Sequence, residues 1–386
     1  MIYMINQILL FSKISNFSRH HVLREDSNIH GNQPLFVSFA NPKKTLNNDF
    51  IFYGENHKTQ IKFQDQDGDK KVLNMEWNGE LSGVDGALNL ESNERFSYGH
   101  LSASFKSPDS STQPNAGIIS SLFLIYNSKD YQDKDGNGIK DTAEIDFEFL
   151  AAAPTEVHLS IHTAYENSRN YERSTRILDL QQGKEIKCVH IKAKNSSPIT
   201  TKITNQPSVP KIANYKNSDY HTFGLDYFKN KLIFWILIND KKTTLFEVPK
   251  DYIPLDPMYI MGNIWWTNDW TPSGTPNPNA IEKPTFSPSL KYEWIKWEPC
   301  TDEENKLYNS DDSNNSNNSD NSNNSDNSNN SNNLNEHNTA NPSKSNTGLI
   351  VGIIVPIAVI IIVAIIVIVI YLRKRNLKEN SSIISF

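Results

Sequence analysis

Between residues 144 and 148 the chain reads Glu-Ile-Asp-Phe-Glu, and this strict alternation of charged and apolar residues constrains the fold more than any other stretch. On a β-strand the side-chain period is two, so Glu144, Asp146 and Glu148 share one face. Ile145, Phe147 and Phe149 share the other, which reads as core. Three acids on one strand face repel each other and contribute nothing to packing. Such an arrangement needs a metal, a cationic partner or a reaction.

The surrounding sequence has the same character. Short, alternating segments rich in β-branched and aromatic residues recur at 81–90, 96–105, 118–126, 157–163, 220–228, 232–238, 258–265 and 292–297. Gly, Pro, Asn and Asp clusters separate them and read as turns. No stretch holds a helical period. The expectation is an all-β domain over residues 32–300, a sandwich of two antiparallel sheets packed face to face. Only two cysteines occur, Cys188 and Cys300, which excludes a small disulfide-framework domain and leaves open whether the two pair. The formal net charge is -6, so nucleic acid is not an expected partner.

The last part of the chain has a different composition. Residues 301–347 are dominated by Asn, Ser and Asp, which cannot build a core and read as a disordered stalk. Asn314, Asn317, Asn323 and Asn329 head glycosylation sequons there, as Asn16 and Asn195 do upstream. Residues 348–372 form an uncharged apolar run, and a helix needs about 20 such residues to cross a bilayer. Arg373, Lys374, Arg375 and Lys378 follow at once. The expectation is a single-pass protein of the cell membrane, with the folded domain extracellular and residues 373–386 a cytoplasmic tail. The membrane is then one partner. Residues 1–31 read as a degenerate signal: the apolar stretch is short and no basic region opens it.

Paired carboxylates point to glycosidic chemistry. Retaining hydrolysis uses one carboxylate as nucleophile and a second carboxyl group as acid and then base, standing ~5–5.5 Å apart. Glu144 and Glu148 have Cα atoms ~13 Å apart on an extended strand, so their side chains must lean together. Asp146 between them is placed to hold one neighbour and to raise the pKa of the other. The motif leaves the order of the two glutamates open.

The run EIDFEFL resembles the active-site strand of glycoside hydrolase family 16, whose pattern is Glu-x-Asp-x-Glu. The version with phenylalanine looks most like the plant xyloglucan-modifying branch and the bacterial mixed-linkage glucanases. Further stretches agree in order. They are Tyr98-Gly99-His100-Leu101, Asp219-Tyr220-His221-Thr222-Phe223, Phe234-Trp235 through Asn239-Asp240, Pro257-Met258 through Trp265, and Tyr292 to Trp297. The family pattern has tryptophan where Tyr227 stands and glycine where Ala151 stands. The resemblance implies a β-jelly roll, a retaining mechanism and a β-glucan-type polysaccharide as partner. It implies Glu144 as nucleophile, Asp146 as supporting acid and Glu148 as acid/base. It further implies His221, Asn263, Trp265 and Trp270 as substrate-binding residues. Flat sugar faces match aromatic rings. Trp265 and Trp266 must face opposite sides of a strand, and the resemblance favours Trp265 for the cleft.

No cofactor is required by this chemistry. A structural calcium site is the competing reading of Asp133, Asp135, Asn137, Gly138 and Glu144, which fit a calcium-loop pattern. It lacks flanking helices and would consume Glu144. A non-catalytic carbohydrate-binding or adhesive surface protein on the same fold is the alternative function, and binding alone does not require the paired carboxylates.

Overall fold

Runs of β-branched and aromatic residues between turn formers become strands because alternation lets one face pack while the other is solvated. The computed structural model describes residues 33–39, 49–54, 60–65, 71–79, 81–83, 86–126, 142–167, 169–268 and 281–309. In chain order the strands are β1 (Leu35–Ser38), β2 (Phe50–Tyr53), β3 (Ile61–Asp65), β4 (Lys71–Glu76), β5 (Leu88–Phe96) and β6 (Gly99–Lys106). Next come β7 (Ile118–Tyr126), β8 (Ala143–Leu150), β9 (Glu156–Asn167), β10 (Asn170–Asp179), β11 (Lys184–Lys194) and β12 (Ser197–Lys202). The last are β13 (His221–Tyr227), β14 (Leu232–Ile238), β15 (Lys241–Val248), β16 (Met258–Trp266) and β17 (Ser289–Pro299), followed by helix α1 (Asp302–Tyr308).

They form two antiparallel sheets. The eight-stranded sheet runs β15-β14-β13-β6-β17-β4-β3, with β1 also on β17. The nine-stranded sheet runs β12-β11-β10-β9-β8-β7-β16-β5-β2, so β8 lies at its middle. The sheets pack as a jelly-roll-like sandwich around one large core. Ile145, Phe147 and Phe149 of β8 point into it, as alternation requires. Phe147 meets Phe234 and Phe223 with ring centroids 5.0 and 5.6 Å apart. Phe149 meets Phe223 and Phe105 at 5.2 and 5.3 Å. Each such buried ring contributes about 1.5–3 kcal/mol relative to exposure, so the apolar face anchors the acid-bearing strand. A second tie crosses the sandwich: Tyr292 Oη donates to Ser121 O at 2.9 Å. The same hydroxyl lies where a Cβ on residue 262 would stand, which is why glycine precedes Asn263.

Three details depart from the sequence expectation, and the open question of the two cysteines is answered. The segment expected at 81–90 becomes a strand only from Leu88, because Gly83 takes φ 76° in the loop before it. Strands β10, β11, β12 and β15 are too rich in charged and hydroxyl residues to show clean alternation, yet they extend both sheets. Residues 302–308 form α1 where a disordered tract was expected. A capping box between Thr301 and Glu304 and an acidic first turn explain it. Cys188 and Cys300 are both free thiols, the first buried in β11.

The expected membrane architecture is corrected. Among the described residues no helix is long and apolar enough to cross a membrane. Helix α1 has 7 residues, about 10 Å at 1.5 Å per residue, and four of the seven are charged. The apolar run 348–372, the stalk beyond 309, the tail and residues 1–31 lie outside the described residues. The expected transmembrane helix, the membrane as partner and the single-pass location find no support among the described residues.

Candidate active site

On neighbouring antiparallel strands, directly opposite residues share a face. The register therefore lays the acid face out in rows. The row through Glu148 runs Tyr53, Asn89, Asn263, Ser121, Glu148, His158 across β2, β5, β16, β7, β8 and β9. The row through Asp146 runs Glu91, Met261, Phe123, Asp146, Ser160, Thr175. The row through Glu144 runs Ile125, Glu144, His162, Arg173. Glu144, Asp146 and Glu148 thus stand side by side at the centre of the nine-stranded sheet, on the side away from the core.

This face is crowded. Asp146 is 3% exposed, and His158 and His162 beside the acids are 3% and 5% exposed. Glu144 and Glu148 are half-buried. Ser160 Oγ and Thr175 Oγ1 pair at 3.1 Å in the Asp146 row. His162 Nε2 lies 3.8 Å from Asp146 Oδ2, an ion-pair distance too long for a hydrogen bond. Tyr53 Oη donates to Glu91 Oε2 at 2.8 Å. Glu144 Oε2 and Asn263 Oδ1 are buried with no hydrogen-bond partner among the described residues.

Crowding sets the protonation states. Burial pushes Asp146 well above the usual carboxylate range, and the charges of Glu144 and Glu148 push it further. Asp146 therefore keeps its proton and donates it in a hydrogen bond to Glu144. Burial raises Glu144 to about 7, against the downward pull of that hydrogen bond. Glu148 rises to about 8, through burial first and then the charge of Glu144, with Arg173 pulling down. Burial and the Arg173 charge hold His162 well below the usual imidazole range, so it is neutral. Both glutamates hold their protons well above the usual carboxylate range.

The other expected substrate-binding residues fall in different places. Asn263 lies in the Glu148 row, two strands away. Trp265 is on the acid face but 2% exposed, packed with Ala87, Ile119, Leu150, Ala153 and Ile281. Its ring closes the end of the face. Trp266 packs against the main core. His221 stands on β13, in the other sheet. Its ring stacks on Tyr215 with centroids 4.5 Å apart, and its Nε2 bonds Lys216 O at 3.0 Å. A side chain of the eight-stranded sheet does not share a face with the acids, so His221 is not part of this constellation. Trp270 lies outside the described residues, as do Asp133, Asp135, Asn137 and Gly138 of the calcium-loop pattern. Among the described residues no group of three or more His, Cys, Asp or Glu is arranged to hold a metal ion.

His158, Ser160, His162 and Arg173 complete the site and were not singled out from sequence. A signal existed for the first three. Residues 157–162 read Val-His-Leu-Ser-Ile-His, the same apolar–polar alternation as β8, one strand later. A polar stripe facing another polar stripe marks a shared site.

The family pattern described as Glycosyl hydrolases family 16 matches residues 49–184, which include β8 and all three acids. Over that segment the chain is similar to glycosyl hydrolases family 16. Among solved structures, a prokaryotic β-1,3-1,4-glucanase (lichenase) from a mouse hindgut metagenome is 16% identical, with a TM-score of 0.42, covering 69% of this chain and 100% of that one. The Bacillus licheniformis β-glucanase is 14% identical at a TM-score of 0.41, covering 69% and 97%. The apo Crh5 transglycosylase is 12% identical at 0.42, covering 72% and 90%. No curated protein matches the chain.

Proposed function

We propose that this protein is a family 16-type retaining glycoside hydrolase or transglycosylase that acts on a β-glucan-type polysaccharide by double displacement. Ionised Glu144 attacks the anomeric carbon while protonated Glu148 gives its proton to the departing glycosidic oxygen. A covalent glycosyl-enzyme forms on Glu144 and the leaving chain carries the proton away. Glu148, now a carboxylate, takes a proton from water or from a sugar hydroxyl, which attacks the same carbon and frees Glu144. Protonated Asp146 steadies the Glu144 carboxylate by its hydrogen bond.

The observation that carries this reading is the single face shared by Glu144 and Glu148, with Asp146 between them donating to Glu144. Asn263, whose buried Oδ1 has no partner among the described residues, is placed to accept from a sugar hydroxyl beside Glu148. The family 16 match over residues 49–184 supports the substrate class. The test is a panel of β-linked polysaccharides, with products resolved by size, given to the wild type and to Glu144→Gln and Glu148→Gln. Loss of turnover in both variants is expected. Unchanged turnover in either would remove that residue from the mechanism. Product lengths report whether water or sugar resolves the intermediate.

A further inference from the structure

Helix α1 is held to the outer face of the eight-stranded sheet by few contacts. None of its residues is buried, and a 7-residue helix does not persist in water without tertiary support. Its C-terminal end is fixed by neutral contacts and one cation–π contact. Tyr308 stacks near Phe228 with centroids 4.7 Å apart, Lys231 Nζ sits 5.0 Å above the Tyr308 ring, Asn230 N donates to Tyr308 O at 3.2 Å, and Lys229 N donates to Asn309 Oδ1 at 2.8 Å. Its N-terminal end meets the sheet at a histidine. His100 of β6 places Nδ1 2.8 Å from Asp226 Oδ1 and Nε2 3.2 Å from Glu304 Oε2.

We propose that His100 is a proton-operated latch, docking α1 on the sheet as an imidazolium and releasing its N-terminal end as the neutral ring. Both ring nitrogens face carboxylate oxygens, which only accept. An imidazolium has two N–H groups and satisfies both; a neutral imidazole has one and turns a lone pair toward the other carboxylate. Asp226 also accepts from Lys242 Nζ at 2.9 Å and Trp235 Nε1 at 3.1 Å, so it keeps partners whatever His100 does. Glu304 is the member that loses. The same Oε2 accepts from Thr301 N at 2.9 Å and Thr301 Oγ1 at 3.0 Å, so the atom that meets His100 also caps the helix.

The other charges around the ring favour the imidazolium on balance. Glu298 lies opposite His100 on β17 and pairs with Lys296 at 2.8 Å. Asp302 and Glu303 stand in the first turn of α1, and Lys306 in its last. The Cys300 thiol is held neutral by burial. The hydrogen bond with Asp226 pushes the His100 pKa up, against its burial, and Glu304 adds to the rise. Below that pKa the latch is closed; as pH rises through it, the docking contribution is lost. The latch lies on the sheet opposite the acid face, so it concerns how the chain leaves the domain after residue 309.

Hydrogen–deuterium exchange of the full chain tests it, read at peptides covering 301–309 and 143–150 and corrected for intrinsic rates. Protection of 301–309 should be about tenfold higher at pH 5.5 than at pH 9, the effect of a charge-assisted hydrogen bond. In His100→Gln it should be low and flat with pH, while 143–150 stays protected. Glu304→Gln keeps a capping side chain but removes the carboxylate, and it too should abolish the pH response. Equal protection of 301–309 at both pH values in the wild type would overturn the latch, as would an unchanged pH response in His100→Gln. If His100→Gln does not fold, shown by loss of protection in 143–150, the half-buried Glu304→Gln variant decides by the same criterion.

Discussion

The two outer faces of the sandwich treat carboxylates in opposite ways. On the nine-stranded sheet, Glu144, Asp146 and Glu148 face one another among buried neighbours, and all three are pushed above the usual range. On the eight-stranded sheet, burial again pushes Asp226 up, but hydrogen bonds from His100 and Lys242 outweigh it and hold the carboxyl low. Glu304 is held low in the same manner by Thr301 and His100. The difference is the supply of cations. A carboxylate given paired donors is a fixed structural charge. One denied them, among other acids, becomes a group whose proton is available near neutral pH, which is what acid–base catalysis requires.

Breaking the acid face should have the largest effect. Glu144→Ala is expected to lose about 10⁴-fold or more in kcat on every substrate, since no covalent intermediate can form. Glu148→Ala should lose about 10²–10⁴-fold on polysaccharide but keep substantial turnover on a dinitrophenyl glycoside, whose leaving group needs no proton. Equal losses on both substrates would contradict the acid/base role.

Next in size is Asp146→Ala. It removes the hydrogen bond that lowers the Glu144 pKa, so the acid limb of the kcat/KM profile should move to higher pH. Asp146→Asn retains an N–H donor and should leave that limb nearly in place. On the other face, Asp226→Ala strands three donors and should destabilise the domain by about 1–3 kcal/mol in urea titrations, with kcat unchanged.

The contrast also has a pH signature. Folded Glu144 and Glu148 ionise at about 7 and about 8, against about 4.3 in the unfolded chain. Across that window the native state holds protons the unfolded chain has lost, so stability falls as pH rises. Asp226 and Glu304 run the other way: their contribution is present above the unfolded carboxylate pKa and is lost as pH falls through their depressed values. Glu148→Gln should therefore raise Tm at pH 8 by about 2–4 °C, and by less at pH 5. Thermal melts at the two pH values check this. The smallest effect is expected for Lys242→Met, about 0–1 kcal/mol, because that ammonium is half exposed.

Much of the acid face could be read before the fold was known. Alternation in β8 assigned Phe147 and Phe149 to the core and the three acids to the opposite side, because strand geometry is local. The same local logic applied to His158, Ser160 and His162 but needed the knowledge that β9 pairs with β8. His221 was misplaced for the converse reason. A resemblance in its own segment says which residues are present, not which sheet β13 joins. Trp265 shows a further gap: its face follows from the strand period, but its burial depends on Ile281, which arrives from a distant segment. Helix α1 was legible in principle, since Thr301-Asp302-Glu303-Glu304 has capping-box spacing, yet the Asn- and Ser-rich tract after it dominated the composition.

What local sequence dictates here is the period-two pattern: an all-β chain, a β8 with one apolar and one acidic side, and the identity of the chemical groups. What it does not dictate is pairing across the sheets. Register sets His162 and Arg173 in the Glu144 row, and sets Asp226 opposite His100. Those non-local contacts decide how much water and counter-charge each carboxylate receives. Desolvation and charge pairing set a pKa, and both are properties of neighbours that only the folded chain brings together.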